Sequence, residues 1–207
     1  MTKQEKLDKG LLLPLMEEFY SIQGEGFHSG KAAYFIRIGG CDVGCHWCDV
    51  KESWDASLHP ATDTNKIVSN VVKYAKTVVI TGGEPLESNL DYLTAQLHKN
   101  KIQVHLETSG SHKLTGEHDW ICLSPKKNKL PLKEIYPKVH ELKIIIRSKN
   151  DFNFAQKQAA LVSDRCELYL QPEWSVRDKI MPLLTDYIMA NPGWKISIQM
   201  HKYINIP

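Results

Sequence analysis

The sequence predicts an α/β fold: an incomplete β/α barrel with mostly parallel strands and outer helices. Short apolar segments alternate with helical segments along most of the chain, a pattern typical of a parallel sheet built from βαβ units. Polar motifs with Gly or Pro follow several strands, which is where barrels and open α/β sheets place their sites. The 207 residues are few for a complete eight-stranded barrel of about 250 residues. We therefore expect one side to stay open for a sizeable substrate.

Length and composition are those of an ordinary globular protein. The chain has 42% hydrophobic and 24% charged residues, close to the average for folded domains. Its formal net charge of +2 is too small to indicate a nucleic-acid or membrane-surface partner. No segment resembles a signal peptide or a membrane span. We expect a cytoplasmic protein with a loose arm over residues 1–14 and a single domain over residues 15–207.

Eight strands are predicted from short apolar or alternating runs. They are expected at Leu15–Ile22, Tyr34–Ile38, Thr77–Ile80, Ile102–Leu106, Trp120–Leu123, Leu142–Ile146, Glu167–Leu170 and Trp194–Met200. Helical spacing of apolar residues predicts four outer helices. They are expected over Ile67–Ala75, over Leu90–Leu97, over Phe152–Val162 and between Ser175 and Ala190. Asp63 or Thr64 is expected to cap the first helix and Asp151 the third, whereas Pro182 predicts a late start or a break in the last.

Three of the five cysteines, Cys41, Cys45 and Cys48, stand close together on a loop that follows the second predicted strand. A zinc site needs a fourth ligand, such as His46, His28 or a more distant histidine. A redox pair of Cys45 and Cys48 leaves Cys41 unused, and a disulfide leaves an odd cysteine and requires an oxidising compartment. Three thiolates can instead hold an iron–sulfur cluster and leave one iron open for another ligand. We favour the cluster, with zinc and a redox pair as alternatives.

Polar motifs at the predicted strand ends are candidates for a binding site. Glycines in the Gln23–Gly26 turn and at Gly82–Gly83 permit backbone to approach a flat ligand closely. The Glu84 that follows offers a carboxylate to an ammonium group. Taken alone, each motif is equally typical of a tight turn, and Lys126 of a solvated charge. Arg37, inside its strand, is expected to face either solvent or a carboxylate.

Eight motifs in this order resemble the 7-carboxy-7-deazaguanine synthase family of radical S-adenosylmethionine (SAM) enzymes. They read Phe19-Tyr-Ser-Ile-Gln-Gly-Glu-Gly26, Phe35-Ile-Arg-Ile-Gly-Gly-Cys41, Cys45-His-Trp-Cys-Asp49, Ile80-Thr-Gly-Gly-Glu-Pro85, Glu107-Thr-Ser-Gly110, Ser124-Pro-Lys126, Leu170-Gln-Pro172 and Gln199-Met-His-Lys-Tyr-Ile-Asn205. The cysteine spacing alone resembles the radical SAM superfamily, in which SAM chelates the open iron, whereas the complete set is far more specific. The resemblance implies a partial barrel of the radical SAM type. It also implies conversion of 6-carboxy-5,6,7,8-tetrahydropterin to 7-carboxy-7-deazaguanine with loss of ammonia, in queuosine and deazapurine biosynthesis.

The resemblance further implies a set of site residues and partners. A 4Fe–4S cluster is expected on Cys41, Cys45 and Cys48. SAM contacts are expected from Trp47, Cys48, Asp49, Gly83, Glu84, Ser124, Pro125 and Lys126, with Gln171, Pro172, Glu173 and Trp174 also near SAM. Substrate contacts are expected from Ile22, Gln23, Gly24, Arg37, Thr81 and the last residue, Pro207. The implied partners are the pterin, an electron donor such as flavodoxin or ferredoxin and a second copy of the chain, with no membrane and no directly bound nucleic acid.

One residue departs from the family pattern. The residue after Cys48 and Asp49 is usually Thr or Ser in the family, with a hydroxyl that helps to bind Mg²⁺, but here it is Val50. A valine side chain has no oxygen ligand to offer, so we expect a weaker dependence on Mg²⁺. The alternative function is a radical SAM activase that makes a glycyl radical on a partner protein. It shares the cysteine spacing but should lack the Gln23–Gly26 turn. A zinc-binding interaction module is the third hypothesis.

Overall fold

Strands and helices alternate along the chain in the computed structural model, which describes residues 1–207. The strands are β1 (Leu12–Ile22), β2 (Ala32–Ile38), β3 (Ala61–Asp63), β4 (Thr77–Gly82), β5 (Gln103–Thr108), β6 (Trp120–Leu123), β7 (Glu141–Ile146), β8 (Glu167–Pro172) and β9 (Trp194–Ile196). The helices are α1 (Lys3–Asp8), α2 (Thr64–Tyr74), α3 (Asp91–Lys99), α4 (Asn150–Ala159), α5 (Arg177–Ala190) and α6 (Met200–Ile204). None of these helices has both the length and the apolarity needed to cross a bilayer.

The strands form one nine-stranded sheet in the order β3-β1-β2-β4-β5-β6-β7-β8-β9. From β2 to β9 each pair of neighbours is parallel, and β1 is antiparallel to both β2 and β3. The edge strands β3 and β9 do not pair with each other, so the barrel is incomplete, as the sequence predicts. Parallel strands bring their C-terminal ends to the same side, and the site lies there.

Alternation along the strands separates an apolar outer face from a polar inner face. The outer face is formed by Ile36, Ile80, Leu106, Leu123, Leu142, Ile144 and Leu170, which belong to one buried core. Successive side chains on a strand point to opposite faces, so Arg37, Thr81, Glu107 and Lys143 lie on the inner face and line a cavity. The helices cover the outer face and leave the polar residues facing a space that can hold a ligand.

Helix α2 begins where its sequence provides a cap. The Asp63 carboxylate accepts a hydrogen bond from the backbone nitrogen of Asn65 at 2.8 Å, as expected for an N-cap. Ile67 and Val71 lie one turn apart and are fully buried in the core. Burial of each such side chain contributes about 1.5–3 kcal/mol to the stability of the fold. Packing against the core therefore stabilises the helix in addition to the Asp63 cap.

The N-terminal residues are not a loose arm, so that prediction for residues 1–14 is wrong. Thr2 and Glu5 form a reciprocal capping box at the start of α1, which satisfies two backbone donors. Leu13 is fully buried, and Leu12 pairs with Asp63 across β1 and β3. This pairing joins segments about fifty residues apart, and a local pattern does not reveal it.

The C-terminal region also differs from the prediction. Pro182 neither delays nor breaks helix α5, which extends from Arg177 to Ala190, because the buried Ile180 and Leu184 hold both parts against the core. The last strand ends at Ile196 rather than Met200.

Helix α6 follows instead, and its Met200 nitrogen donates to the Gly24 carbonyl at 3.0 Å. This contact turns the chain back over the sheet. Asp151 is not the N-cap of α4, which begins one residue earlier at Asn150. Its carboxylate nevertheless accepts hydrogen bonds from the backbone nitrogens of Arg147 and Ser148, at 2.8 and 2.6 Å.

Candidate active site

A cavity of about 290 Å³ opens at the C-terminal ends of the parallel strands. Every predicted site residue except Pro125 lines it. These residues are Ile22, Gln23, Gly24, Arg37, Cys41, Cys45, Trp47, Cys48, Asp49, Thr81, Gly83, Glu84, Ser124, Lys126, Gln171, Pro172, Glu173, Trp174 and Pro207. The fold therefore brings segments from nearly the whole chain together in one place.

The three cysteines of the loop are free thiols. Cys45 is buried, whereas Cys41 and Cys48 are half-buried. The Cys48 nitrogen donates to the Cys45 carbonyl at 2.9 Å, and the Cys41 nitrogen donates to the Trp54 carbonyl at 3.1 Å, so the loop is held from within and from outside. Burial raises the pKa of the Cys41 and Cys45 thiols. Binding of a metal would offset this, because it stabilises the thiolate.

The surroundings of the loop fit a cluster with three protein ligands and do not complete a zinc site. His46 is exposed, and its Nε2 lies 2.7 Å from Nη1 of Arg147. His28 does not line the cavity, and its ring stacks on His105 with the centroids 4.3 Å apart. A structural zinc ion needs four ligands, and neither histidine supplies the fourth. Three thiols facing an open cavity are what an iron–sulfur cluster with one open iron requires.

Gly83 brings the end of β4 against the cysteine loop. Its nitrogen donates to the Ile38 carbonyl at 2.9 Å, and the next nitrogen, of Glu84, donates to the Gly40 carbonyl at 2.7 Å. A Cβ atom at Gly83 would collide with the Gly40 carbonyl and with Cys41, so only glycine permits this approach. The glycine motif therefore positions the loop that carries the thiols.

Lys126 reaches into the cavity between the strand end of β6 and the cysteine loop. Its Nζ donates to the backbone oxygen and to Oγ of Ser124, at 2.7 and 2.6 Å. It also lies 5.7 Å from the ring centroid of Trp47, within the range of a cation–π interaction. Burial lowers the pKa of Lys126. This arrangement offers a cation and an aromatic face to a ligand next to the thiols.

Asp49 connects the cysteine loop to the C-terminal segment. Its Oδ2 accepts a hydrogen bond from Lys202 Nζ at 2.6 Å and from Gln199 Nε2 at 3.3 Å. Burial acts to raise the pKa of Asp49, but Lys202 outweighs it and the pKa is lowered. The adjacent Val50 lines the cavity and has no oxygen in its side chain. The residues at this end of the loop therefore do not fit a magnesium ion held by a side-chain hydroxyl.

Arg37 presents part of its guanidinium to the cavity. Its Nε donates to Glu17 Oε1 at 2.6 Å, and its two terminal nitrogens have no protein partner. Thr81 is its register partner on β4 and lines the same cavity. An arginine held through Nε leaves two parallel donors that match a carboxylate. The pair can therefore bind an anionic group on the substrate.

Three side chains outside the predicted site lie close enough together to hold a metal ion: Asp42, Glu87 and His112. A lysine side chain already contacts this group. Lys129 Nζ lies 2.5 Å from Asp42 Oδ2 and 2.9 Å from His112 Nε2. The hydrogen bonds from His112 and Lys129 lower the pKa of Asp42 to about 2. Because a lysine ammonium already contacts two of the three groups, part of their negative charge is balanced without a metal. The contacts tie the residue after Cys41 to two neighbouring loops.

Of the other residues that line the cavity, five carry a carboxylate, ammonium, amide or imidazole group and were not predicted as site residues. They are Glu25, Glu107, Lys143, Gln199 and His201. Glu25, Glu107, Gln199 and His201 lie within the motifs quoted above, so the motifs could have indicated them. Lys143 is the single charged residue between Leu142 and Ile146. It alternates with residues that face the apolar core, and this alternation could have predicted that it faces the cavity.

An open parallel barrel, three free thiols on the loop after its first parallel strand and a glycine motif at the end of the next strand define a radical SAM enzyme. The profile of the Radical SAM superfamily matches residues 35–120 of the chain. Enzymes of this class use a 4Fe–4S cluster and SAM, and this chain provides the residues for both.

Similarity to individual proteins extends over almost the whole chain. It is 61% identical to the 7-carboxy-7-deazaguanine synthase of Flavobacterium psychrophilum, over 99% of this chain and 97% of that one. It is 45% identical to the synthase of Synechocystis, over 93% of each chain. The crystal structure of QueE from Escherichia coli superposes with a TM-score of 0.82 at 28% identity, covering 97% of this chain and 99% of that one. The chain belongs to the 7-carboxy-7-deazaguanine synthase family.

Proposed function

We propose that this protein converts 6-carboxy-5,6,7,8-tetrahydropterin to 7-carboxy-7-deazaguanine with loss of ammonia. The observation that carries the proposal is the shared cavity: the free thiols form one part of its wall, and Arg37, Thr81 and the Gln23–Gly24 backbone form another. A ligand held by the second group lies within the same cavity as a cofactor held by the first. This proximity is the main requirement of a reaction that begins by hydrogen-atom transfer.

Cys41, Cys45 and Cys48 would hold the cluster. When bound, the cluster and SAM supply the one-electron chemistry that removes a hydrogen atom from the substrate. Lys126 offers a cation and Trp47 a ring face beside the thiols, which suits the carboxylate and the adenine of SAM. The remaining predicted SAM contacts are Cys48, Asp49, Gly83, Glu84, Ser124, Pro125, Gln171, Pro172, Glu173 and Trp174.

The substrate carboxylate would pair with the free nitrogens of Arg37. The backbone at Ile22, Gln23 and Gly24 offers donors and acceptors to the edge of the pterin ring, and Thr81 adds a hydroxyl. Pro207 lines the cavity, and its carbonyl oxygen accepts a hydrogen bond from Ser21 Oγ at 3.1 Å. In this position the Pro207 carbonyl oxygen can accept hydrogen bonds from the substrate, and the cavity walls limit the access of water to the reacting atoms.

Further proposals concern the partners. A small electron carrier such as flavodoxin or ferredoxin supplies the electron, and the enzyme works as a homodimer in the cytoplasm without binding nucleic acid directly. Light scattering on the purified protein tests the dimer. Turnover with each reduced carrier, compared with a chemical reductant, tests the electron source.

The decisive experiment supplies the reconstituted protein anaerobically with SAM, reductant and the carboxy-tetrahydropterin. We expect stoichiometric 7-carboxy-7-deazaguanine and ammonia, together with 5′-deoxyadenosine, and none of them from the Cys45→Ala variant. Cleavage of SAM without any deazaguanine would contradict the proposal and favour the activase alternative.

A further inference from the structure

Lys143 is a buried lysine that the cofactor and substrate assignments above leave without a role. Its side chain is 4% exposed, and it projects from the inner face of β7 into the wall of the cavity. Its Nζ lies 2.5 Å from Glu25 Oε2 and 3.2 Å from Glu107 Oε2. One ammonium group thus joins two carboxylates that come from distant parts of the chain.

The other oxygen of each carboxylate is also held by a side chain. Gln199 Nε2 donates to Glu25 Oε1 at 2.9 Å, and Gln23 Nε2 donates to Glu107 Oε1 at 2.8 Å. Three of the connected elements are the turn after β1, strand β5 and the segment before α6. Lys143 lies at the centre of this network, which we call the carboxylate floor: Gln23, Glu25, Glu107, Lys143 and Gln199.

The charges of the floor depend on Lys143. The pKa of Glu25 is lowered, because the effect of Lys143 exceeds the opposing effect of burial. Burial would lower the pKa of Lys143, but Glu107 and Glu25 raise it well above its usual value. The other titratable groups that act on Glu25 or Lys143 are Cys122 of β6, Glu141 of β7, His201 of α6 and Lys126. A buried carboxylate that loses its cation becomes protonated and is then a donor rather than an acceptor.

We propose that Lys143 is a positioning residue that holds Glu25 and Glu107 as fixed, charged acceptors for the N–H groups of the pterin. This inference rests on the proposed function. The floor carries two carboxylates and one ammonium, so an excess of acceptors faces the cavity. A heterocycle with several N–H donors is the chemical class that such a surface binds, and Lys143 keeps the two carboxylates from repelling each other.

The test compares Lys143→Met with Lys143→Arg in the reconstituted holoenzyme with SAM. Binding of the carboxy-tetrahydropterin is measured calorimetrically without reductant, so that no turnover occurs. We expect Lys143→Met to weaken binding at least about tenfold, since a hydrogen bond to a charged group contributes about 1.5–3 kcal/mol, and Lys143→Arg to restore part of it. Lys195→Met is the matched control, because Lys195 pairs with Glu167 at the exposed edge and does not line the cavity. It should bind the pterin like wild type.

The pH profile separates positioning from a purely structural role. Without Lys143, only the Gln199 hydrogen bond and His201 oppose the effect of burial on Glu25, so its pKa rises and binding is lost at higher pH. We expect the acidic limb of pterin binding to move up by about one pH unit in Lys143→Met and to stay in place in Lys195→Met. Wild-type affinity and an unshifted limb in Lys143→Met would overturn the inference.

Two further arms keep the test decisive. If Lys143→Met does not fold, the double variant Lys143→Met/Glu107→Gln, which restores the charge count, is used with Lys143→Arg. Weakened binding at an unchanged melting temperature supports the inference, and wild-type affinity overturns it. Turnover by the wild-type enzyme is measured in parallel. Failure of the proposed function appears as missing product in wild type, whereas failure of this inference leaves wild-type turnover intact.

Discussion

Glu84 and Ser109 are joined by two hydrogen bonds to the same carboxylate oxygen. Glu84 Oε2 accepts from the Ser109 nitrogen at 2.7 Å and from its hydroxyl at 2.5 Å. The other oxygen accepts from the Thr108 hydroxyl at 2.5 Å and from the Leu86 nitrogen at 3.1 Å. Glu84 is 1% exposed. The glutamate of the glycine motif therefore connects the ends of β4 and β5 beneath the cavity.

Replacement of Glu84 by Ala is expected to lower the free energy of unfolding by about 3 kcal/mol. The change leaves several buried donors without an acceptor, and each unsatisfied group costs about 1–3 kcal/mol. Urea denaturation of the anaerobically purified protein measures the loss. Glu117→Ala, at an exposed position, is the control and should change stability by no more than about 0.5 kcal/mol. Equal stability of both variants would show that the Glu84 hydrogen bonds have little net effect.

Arg37→Lys is expected to raise the KM for the pterin by about 10–30-fold while leaving SAM affinity unchanged. Lysine keeps the positive charge but loses the two parallel donors that remain free when Nε bonds to Glu17. Steady-state kinetics at saturating SAM measure the effect. Arg165→Lys, an exposed position without a side-chain hydrogen bond, serves as control. An unchanged KM for Arg37→Lys would argue that the substrate carboxylate binds elsewhere.

Removal of Mg²⁺ is expected to leave most of the wild-type activity, because Val50 offers no oxygen ligand. Val50→Thr should make the enzyme responsive to added Mg²⁺, since it introduces a hydroxyl beside Asp49 with little change in volume. Activity is assayed after passage over a chelating resin, with iron content confirming an intact cluster. Val72→Thr, on the exposed side of α2, controls for the added hydroxyl. An absolute Mg²⁺ requirement in the wild-type protein, with ordinary affinity, would refute the prediction.

Stability is expected to fall between pH 6.5 and pH 4 because of His105. Burial, with a smaller effect of His28, lowers the pKa of His105 to about 4, whereas an unfolded histidine has a pKa of about 6.5. Between these values the unfolded chain binds the extra proton, so the free energy of unfolding decreases as the pH falls. The 8% exposed His105 should account for about 2–3 kcal/mol of the loss.

His105→Phe removes this titration and retains a ring to stack on His28. Urea denaturation of both proteins at several pH values isolates the contribution of His105, because the other titrating groups are nearly common to both. Parallel pH dependences in the two proteins would contradict the assignment.

Local patterns were sufficient for the strand–helix alternation, for the cap at Asp63 and for the group of cysteines. Each of these depends on residues close together in sequence: period two for a strand, a side chain that bonds two residues ahead for a cap, and thiols within one loop. The order of the motifs also predicted the family, and the cavity collects all but one of the residues that the motifs indicated. Strand β6 has the predicted bounds because its four residues are apolar and bordered by polar ones.

Tertiary structure alone decided the features that depend on distant partners. Leu12 is in a strand because β3 pairs with it, and α5 passes through Pro182 because its flanking residues are buried. Arg37 faces the cavity rather than solvent because β4 aligns it with Thr81. Lys143 forms ion pairs with Glu25, 118 residues away, and with Glu107, 36 residues away. A side chain's charge and its partners follow from what the fold places within hydrogen-bond distance, and sequence spacing does not contain that distance.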